Sequence, residues 1–478
     1  MTFEEKHIHF IGIGGIGMSG IARMLAAEGK TVSGSDLVET AVTRSLAGAG
    51  IDITLGQSAD NIPDDVDLVV ISAAIQDDNP ELVEAGRRKI PVQKYAQVLG
   101  RLMDERRGIA VSGTHGKTTT TAMIATVLRK AGLDPNFVVG ADVGPLGGSS
   151  AVGTGEFFVV EACEYDRSFH NLHPHCAVLG NIEPDHLDYY THGLPEIIDS
   201  FARFASQVQP GGLLVANLSD ANVARAARRA ARLVERVPYA VETFAVEDPR
   251  ADWCAVGVRA ELGLYDFECL HRREKIGGFQ LGIPGRHNVS NALAAIACCH
   301  WAGVDFAVMR EALTHFRGAD RRFQILGRPA GVTIVDDYAH HPTEITETLK
   351  AAREFFEARR IFVVFQPHQH SRTRFLLKDF AASFDHADVV LVPDIYFVRD
   401  SETERQQVNA ADLVRAMREH RKECYYLATF AEIEDHLTRR LQTGDVVITM
   451  GAGDVYKVGR ALVGLLAQNG PPREDATP

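Results

Sequence analysis

What this chain has little of narrows it first. Only seven of its 478 residues are cysteines, at positions 163, 176, 254, 269, 298, 299 and 424. The number is odd and no pair shows CxxC or Cys/His spacing, so neither a disulfide framework nor a structural zinc site is expected, and a reducing cytoplasmic compartment fits best. Long apolar runs are missing as well. The most apolar stretch, Ala292 to Met309, is broken by His300 and Asp305 and reads as a buried helix rather than a membrane span. The opening residues, MTFEEKHIHFIGIGG, carry two glutamates where a secretion signal has a basic start and a long apolar core, so no such signal is expected. Positive charge is in deficit, 50 Lys and Arg against 63 Asp and Glu, a net charge of −13. That balance excludes a broad basic face for nucleic acid or anionic lipid. Any anionic ligand has to be held by local features.

What is present is globular: 45% apolar and 24% charged residues, with 42 Gly and 19 Pro. At about 100 to 200 residues per domain the length predicts two to four domains, with three as the starting count. Strand-like runs alternate with helical patterns, the mark of parallel α/β architecture. The expected organisation is an N-terminal Rossmann-like domain over 1–108, a central α/β domain of P-loop ATPase type over 109–320, and a C-terminal Rossmann-like domain over 321–478. The first boundary rests on the polar stretch 100–108 before a fresh strand, the second on the restart of alternation after FRGADRRFQILG. The tail GPPREDATP has no apolar periodicity and is expected to be disordered.

Two glycine-rich loops carry the first chemical signal. Gly12-x-Gly14-x-x-Gly17 follows a strand and opens a helix, with Asp36 at the next strand end. Glycines there admit a pyrophosphate close to the backbone, the helix start offers unpaired N–H groups, and the acid suits a ribose hydroxyl. Dinucleotide binding, nucleotide-sugar binding and a purely structural turn all remain open on this motif alone. Gly113-Thr114-His115-Gly116-Lys117-Thr118 is a shortened relative of the P-loop, with Lys117 placed for β and γ phosphate oxygens and the Thr118 hydroxyl for Mg²⁺. Its strand-loop-helix context points to ATP.

GTHGKTTTT, EACEYDRSF, NIEPDHLD, GRHNVSNALAA, RRFQ, DDYAHHPTE, QPHQHSRTR and MGAGD occur in this order, spread over nearly the whole chain. With HFIGIGGIGMSGIA and SGSD before them, this succession resembles the Mur ligase family of peptidoglycan synthesis. The resemblance implies joining a carboxylate to an amine through an acyl phosphate made from ATP. Within the family it is strongest to the ligation of L-alanine to UDP-N-acetylmuramate. Attachment of a murein tripeptide to the same sugar nucleotide is the alternative, as is a paralogue that has lost turnover.

The roles that follow are those the resemblance implies. Lys117, Glu161, His186 and Arg372 are catalytic. Gly113, Thr114, His115, Gly116, Lys117, Thr118, Thr119, Asn288, Asn291, Arg322 and Asp337 bind ATP, an amide suiting the purine edge. Gly12, Gly14, Gly15, Gly17, Ser35, Asp36 and Ser72 bind the UDP-sugar. Tyr338, His340, His368 and Arg372 take the amino acid, Arg372 by a fork on its carboxylate. Thr118, Glu161 and His186 hold Mg²⁺, or Mn²⁺ in its place, with Glu164 and Asp166 nearby. The partners are UDP-N-acetylmuramate, L-alanine and ATP, with no nucleic acid, no membrane span, and a monomer or homodimer as the working form. The histidines of 340–341 and 368–370 show no zinc-type spacing.

Three departures from the family pattern stand out. Cys163 replaces an acid, Gln369 replaces an arginine of the amino-acid pocket, and no lysine occurs between Lys130 and Lys275. A carbamylated lysine, which several relatives use to support a second Mg²⁺, is therefore impossible in that segment.

Overall fold

The computed structural model describes residues 3–234, 238–356, 360–398, 400–420 and 423–469. The tail GPPREDATP lies outside them. Three sheets follow one another along the chain. The first is fully parallel, in the spatial order Asp52–Leu55, Thr31–Asp36, His7–Ile11, Leu68–Ile71, Val92–Lys94. Chain order reverses on either side of His7–Ile11, which makes it the topological switch point, and α/β sheets bind ligands in the crevice beyond the strand ends at such a point.

The second sheet has ten strands, with Arg107–Ser112 between Phe157–Glu161 and Cys176–Leu179 in its parallel centre. Those three strands are buried nearly throughout, as both faces are covered by helices. The sheet is not parallel throughout. Trp253–Glu261, Leu264–His271 and Glu274–Pro284 form an antiparallel extension at one edge that the strand-helix alternation did not predict. The third sheet orders Gln324–Gly327, Thr333–Asp337, Val446–Met450, Ile361–Phe365, Val389–Val392, Glu423–Tyr426, antiparallel only at its first pair.

The apolar stretch 292–309 is buried as expected but is two helices, His287–Trp301 and Phe306–His315. Gly303, at φ 84°, takes the left-handed turn that ends the first. No helix among the described residues is long and apolar enough to cross a membrane. The polar stretch 100–108 holds the end of helix Tyr95–Asp104, which buries Leu102 and Met103. One apolar core runs continuously from the first sheet into one face of the second, from Ile8 and Phe10 to Phe201 and Tyr239. The third sheet packs separate cores on its two faces.

Candidate active site

Helices Ile16–Ala27 and Lys117–Lys130 both begin on a glycine, Gly15 and Gly116, with no side-chain cap. Their first-turn N–H groups are left for a ligand, and the helix dipole favours an anion there.

In the N-terminal loop the Gly14 N–H donates to Asp36 Oδ2 at 2.8 Å, and a Cβ on Gly14 would sit 2.7 Å from that oxygen. Glycine is required here by close approach. Ser72 follows strand Leu68–Ile71 on the other side of the crevice. Ser35 does not join them. Its hydroxyl donates to Glu81 at 2.7 Å and is fully buried, and its carbonyl accepts from Gly12 and Ile13.

The central loop is braced by Asn181, whose side-chain oxygen accepts from the His115 N–H at 2.7 Å and whose carbonyl accepts from Thr114. Gly116 stands at φ 77° against Asn291, leaving no room for a Cβ. Lys117 folds back over the loop. Its ammonium donates to the Thr114 carbonyl at 3.0 Å and meets the Glu164 carboxylate at 2.9 Å. Burial would lower its pKa, and Glu164 more than offsets this, so the charge is kept.

Glu161 ends strand Phe157–Glu161 and points toward Lys117 and Thr118, with the Gly140 N–H on one oxygen. Burial raises its pKa, and among the described residues it makes no ion pair. His186, at φ 51°, lies 3.8 Å from Glu164 and 3.7 Å from Asp185, and burial holds its pKa down, so the ring is neutral at physiological pH. A hydroxyl, a half-buried carboxylate held in no ion pair and a neutral imidazole around one cavity fit a hard divalent ion such as Mg²⁺ or Mn²⁺. Asp166 is elsewhere, paired with Lys94 at 2.6 Å.

That cavity is closed by the third unit. Arg321, Arg322, Tyr338, His340 and Glu344 line it opposite Lys117, Glu161 and His186, and Ile16 reaches its edge from the first unit. A second cavity adjoins it, lined by His115, Gly116, Thr119, Asn288, Asn291, Arg322 and Asp337. Asn288 lies inside its helix rather than capping it, and donates to the Pro284 carbonyl at 2.7 Å. Asn291 donates to Asn288 at 2.9 Å, which leaves its own oxygen toward Gly116. Asp337 accepts N–H groups of Phe323 and Ala339, and burial pushes its carboxyl up to about 6 despite Arg322.

Arg372 comes from the short helix His370–Phe375 and is almost fully buried. It donates to Asp185 Oδ1 at 2.7 Å, a bond from the third unit to the residue beside His186. His368 stands behind the cavity wall, 6.2 Å from His340 between ring centres and stacked on Tyr396.

Three family models match the chain in succession: the Mur ligase catalytic domain over residues 7–107, the Mur ligase middle domain over 111–299, and the Mur ligase glutamate ligase domain over 321–453. The chain belongs to the Mur ligase family. It is 43% identical to a UDP-N-acetylmuramate–L-alanine ligase of Geobacter sulfurreducens, covering 98% of this chain and 99% of that one. A Sorangium cellulosum protein of the same description is also 43% identical, over 99% of both. Among solved structures, a UDP-N-acetylmuramate-alanine ligase of Thermotoga maritima superposes with a TM-score of 0.80 at 31% identity, covering 97% of this chain and all of that one. A murein peptide ligase of Psychrobacter arcticus gives 0.72 at 26%, covering 97% and 99%.

Within this Mur ligase the departures have definite places. Cys163 is exposed on the main cavity, where reduced solvation and the Glu164 carboxylate push the thiol up to about 11. It stays neutral, and the acidic cluster is one charge lighter. Gln369 is buried at φ 69° as the residue that starts the Arg372 helix, its N–H on the Tyr396 carbonyl. Sequence reading passed over Asn181, Glu183, Asp185 and Glu344, although NIEPDHLD and DDYAHHPTE contain them. Arg460 lines the main cavity with no local motif to mark it.

Proposed function

We propose that this Mur ligase joins L-alanine to the carboxylate of UDP-N-acetylmuramate, consuming ATP and releasing UDP-N-acetylmuramoyl-L-alanine, ADP and phosphate. The observation that carries the reading is the shared cavity. It sets the cation of Lys117 and the donors Thr118, Glu161 and His186 against Arg322, Tyr338 and His340 of the third unit. Near-complete coverage by L-alanine ligases at 43% identity supports the choice of acceptor.

The chemistry brings two anions together. The sugar carboxylate attacks the γ-phosphorus and ADP leaves. The amine of the amino acid then attacks the acyl carbonyl, loses a proton, and expels phosphate. Lys117 exchanges Glu164 for phosphate oxygens and screens the approach of the carboxylate. Thr118, Glu161 and His186 would hold Mg²⁺ or Mn²⁺, which supplies further positive charge when bound. Asn291 and Asp337 orient the nucleoside in the adjoining cavity, and Arg322 reaches both cavities. Walls contributed by the third unit exclude water from the acyl phosphate. The N-terminal crevice, with Gly12, Gly14, Gly15, Gly17, Asp36 and Ser72, takes the UDP moiety. Tyr338 and His340 line the acceptor end, and Arg372 clamps the acceptor carboxylate in exchange for Asp185. Substrates of this kind belong to the cytoplasm.

Phosphate release from ATP with UDP-N-acetylmuramate and Mg²⁺ tests this, comparing L-alanine, glycine, L-serine, the murein tripeptide and no acceptor. Stimulation by L-alanine is expected. Stimulation by the tripeptide alone would move the assignment to recycling, and silence with all four would mark a non-catalytic paralogue. Preference among the three free amino acids rests on one methyl or hydroxyl group, worth about 1 to 3 kcal/mol.

A further inference from the structure

Three donors from separate segments meet at the seam between the central and C-terminal units. His115 belongs to the phosphate loop, Glu183 to the loop after strand Cys176–Leu179, and His341 immediately precedes helix Pro342–Phe356. Their donor atoms all lie within 4.8 Å of one another. His115 Nε2 is 3.4 Å from Glu183 Oε2, and His341 Nδ1 is 3.8 Å from the same oxygen. Donors placed about 2.0–2.1 Å from a tetrahedral ion stand roughly 3.4 Å apart, so these spacings need little change to close around one. His115 Nε2 is buried, and its contact with Glu183 Oε2 is an ion pair at 3.4 Å rather than a well-formed hydrogen bond.

We infer that His115, Glu183 and His341 form a binding site for a zinc-class divalent transition metal, separate from the Mg²⁺ site, that staples the phosphate loop to the C-terminal unit.

The surroundings are those of ligands already oriented. His115 turns its Nδ1 to Glu344 at 3.2 Å, and the Thr343 hydroxyl donates to Glu183 at 2.7 Å. Two imidazoles and one carboxylate select zinc, cobalt or nickel over Mg²⁺, which the oxygen-richer Thr118 and Glu161 set favours. His115 and Glu183 also line the nucleoside cavity, which gives water access to a fourth position. Occupation holds the two units in the arrangement described here and fixes the His115 side chain, and the phosphate loop with it, against the C-terminal unit. Zinc should therefore inhibit turnover, and a chelator should restore it.

Cobalt titration of the metal-free full chain, without nucleotide, tests the site independently of ligase activity. Wild type and Glu161→Gln should both develop the intense visible bands of tetrahedral cobalt. His341→Gln and Glu183→Gln, checked for unchanged thermal unfolding without metal, should each bind at least about tenfold more weakly. Zinc should displace cobalt from the wild type one for one. Bands that survive both substitutions, bands lost in Glu161→Gln, or the absence of tetrahedral cobalt in the wild type would overturn the proposal. The cluster would then be an ion-pair clasp only. If one variant unfolds, the other still decides.

Discussion

The two glycine loops look alike in outline and differ in what fills them. At Gly12–Gly17 the only charged group on the loop is a carboxylate, Asp36, fixed on the Gly14 N–H, and no cation stands among the glycines. At Gly113–Thr118 a buried ammonium is held by a buried carboxylate, and residues of another unit close over it. The first loop can offer backbone N–H groups and a helix dipole, enough to bind and orient a diphosphate. The second adds a charge that can move from Glu164 to a phosphate, which is what transfer of a phosphoryl group requires. On the proposed function binding and reaction are separated along the chain, and substitutions in the two loops should separate KM from kcat.

The sharpest test of that contrast is Lys117→Ala. The account expects kcat to fall by at least about 10³-fold, comparable to or beyond the loss of one oxyanion donor, with thermal unfolding still cooperative. Retained turnover would erase the distinction between the loops. Arg372→Ala comes next, because it strands Asp185 as a buried, unpaired carboxylate. Removing one partner of such a pair costs about 3–5 kcal/mol, so a lower Tm and a KM for L-alanine raised more than tenfold are expected. Unchanged KM would take Arg372 out of the acceptor site.

A third test uses pH. The folded pKa of His115, about 9, exceeds the free value near 6.5. Its contribution is therefore fully present below about pH 6.5 and is lost as pH rises through 9, on the order of 3 kcal/mol at most. His115→Gln should flatten the decline of stability over that window, measured by denaturant unfolding. The smallest effect belongs to the first loop. Asp36→Ala frees the Gly14 N–H, and a several-fold rise in KM for the UDP-sugar with kcat within about twofold is expected, equivalent to about 1 kcal/mol. A large fall in kcat would show that this loop takes part in the reaction.

Both loops were legible in sequence because each is a local device: glycines at fixed spacing between a strand and a helix. The helices after them, and the strands VTIVDDYA and DVVITMGAGD, were legible by their apolar periods. The edge ribbon 253–284 was not, since its alternating burial resembles that of any half-exposed strand and pairing direction leaves no local mark. The roles of Asp185, Glu183 and Glu344 were hidden for a different reason. Each lies inside a recognised motif, but its partner, Arg372 or His115, sits more than 60 residues away and meets it only when the units pack. Ser35 shows the converse. Its place in SGSD suggested a ligand contact, and the fold uses its hydroxyl on buried Glu81.

The most direct measurement follows one atom through the reaction. UDP-N-acetylmuramate labelled with oxygen-18 in its carboxylate is incubated with ATP, Mg²⁺, L-alanine and the protein, and the released phosphate is analysed by mass spectrometry. If an acyl phosphate forms beside Lys117, one labelled oxygen passes into each phosphate and Lys117→Ala releases none. Amide formation with unlabelled phosphate, or labelled phosphate from Lys117→Ala at the wild-type rate, would contradict the account.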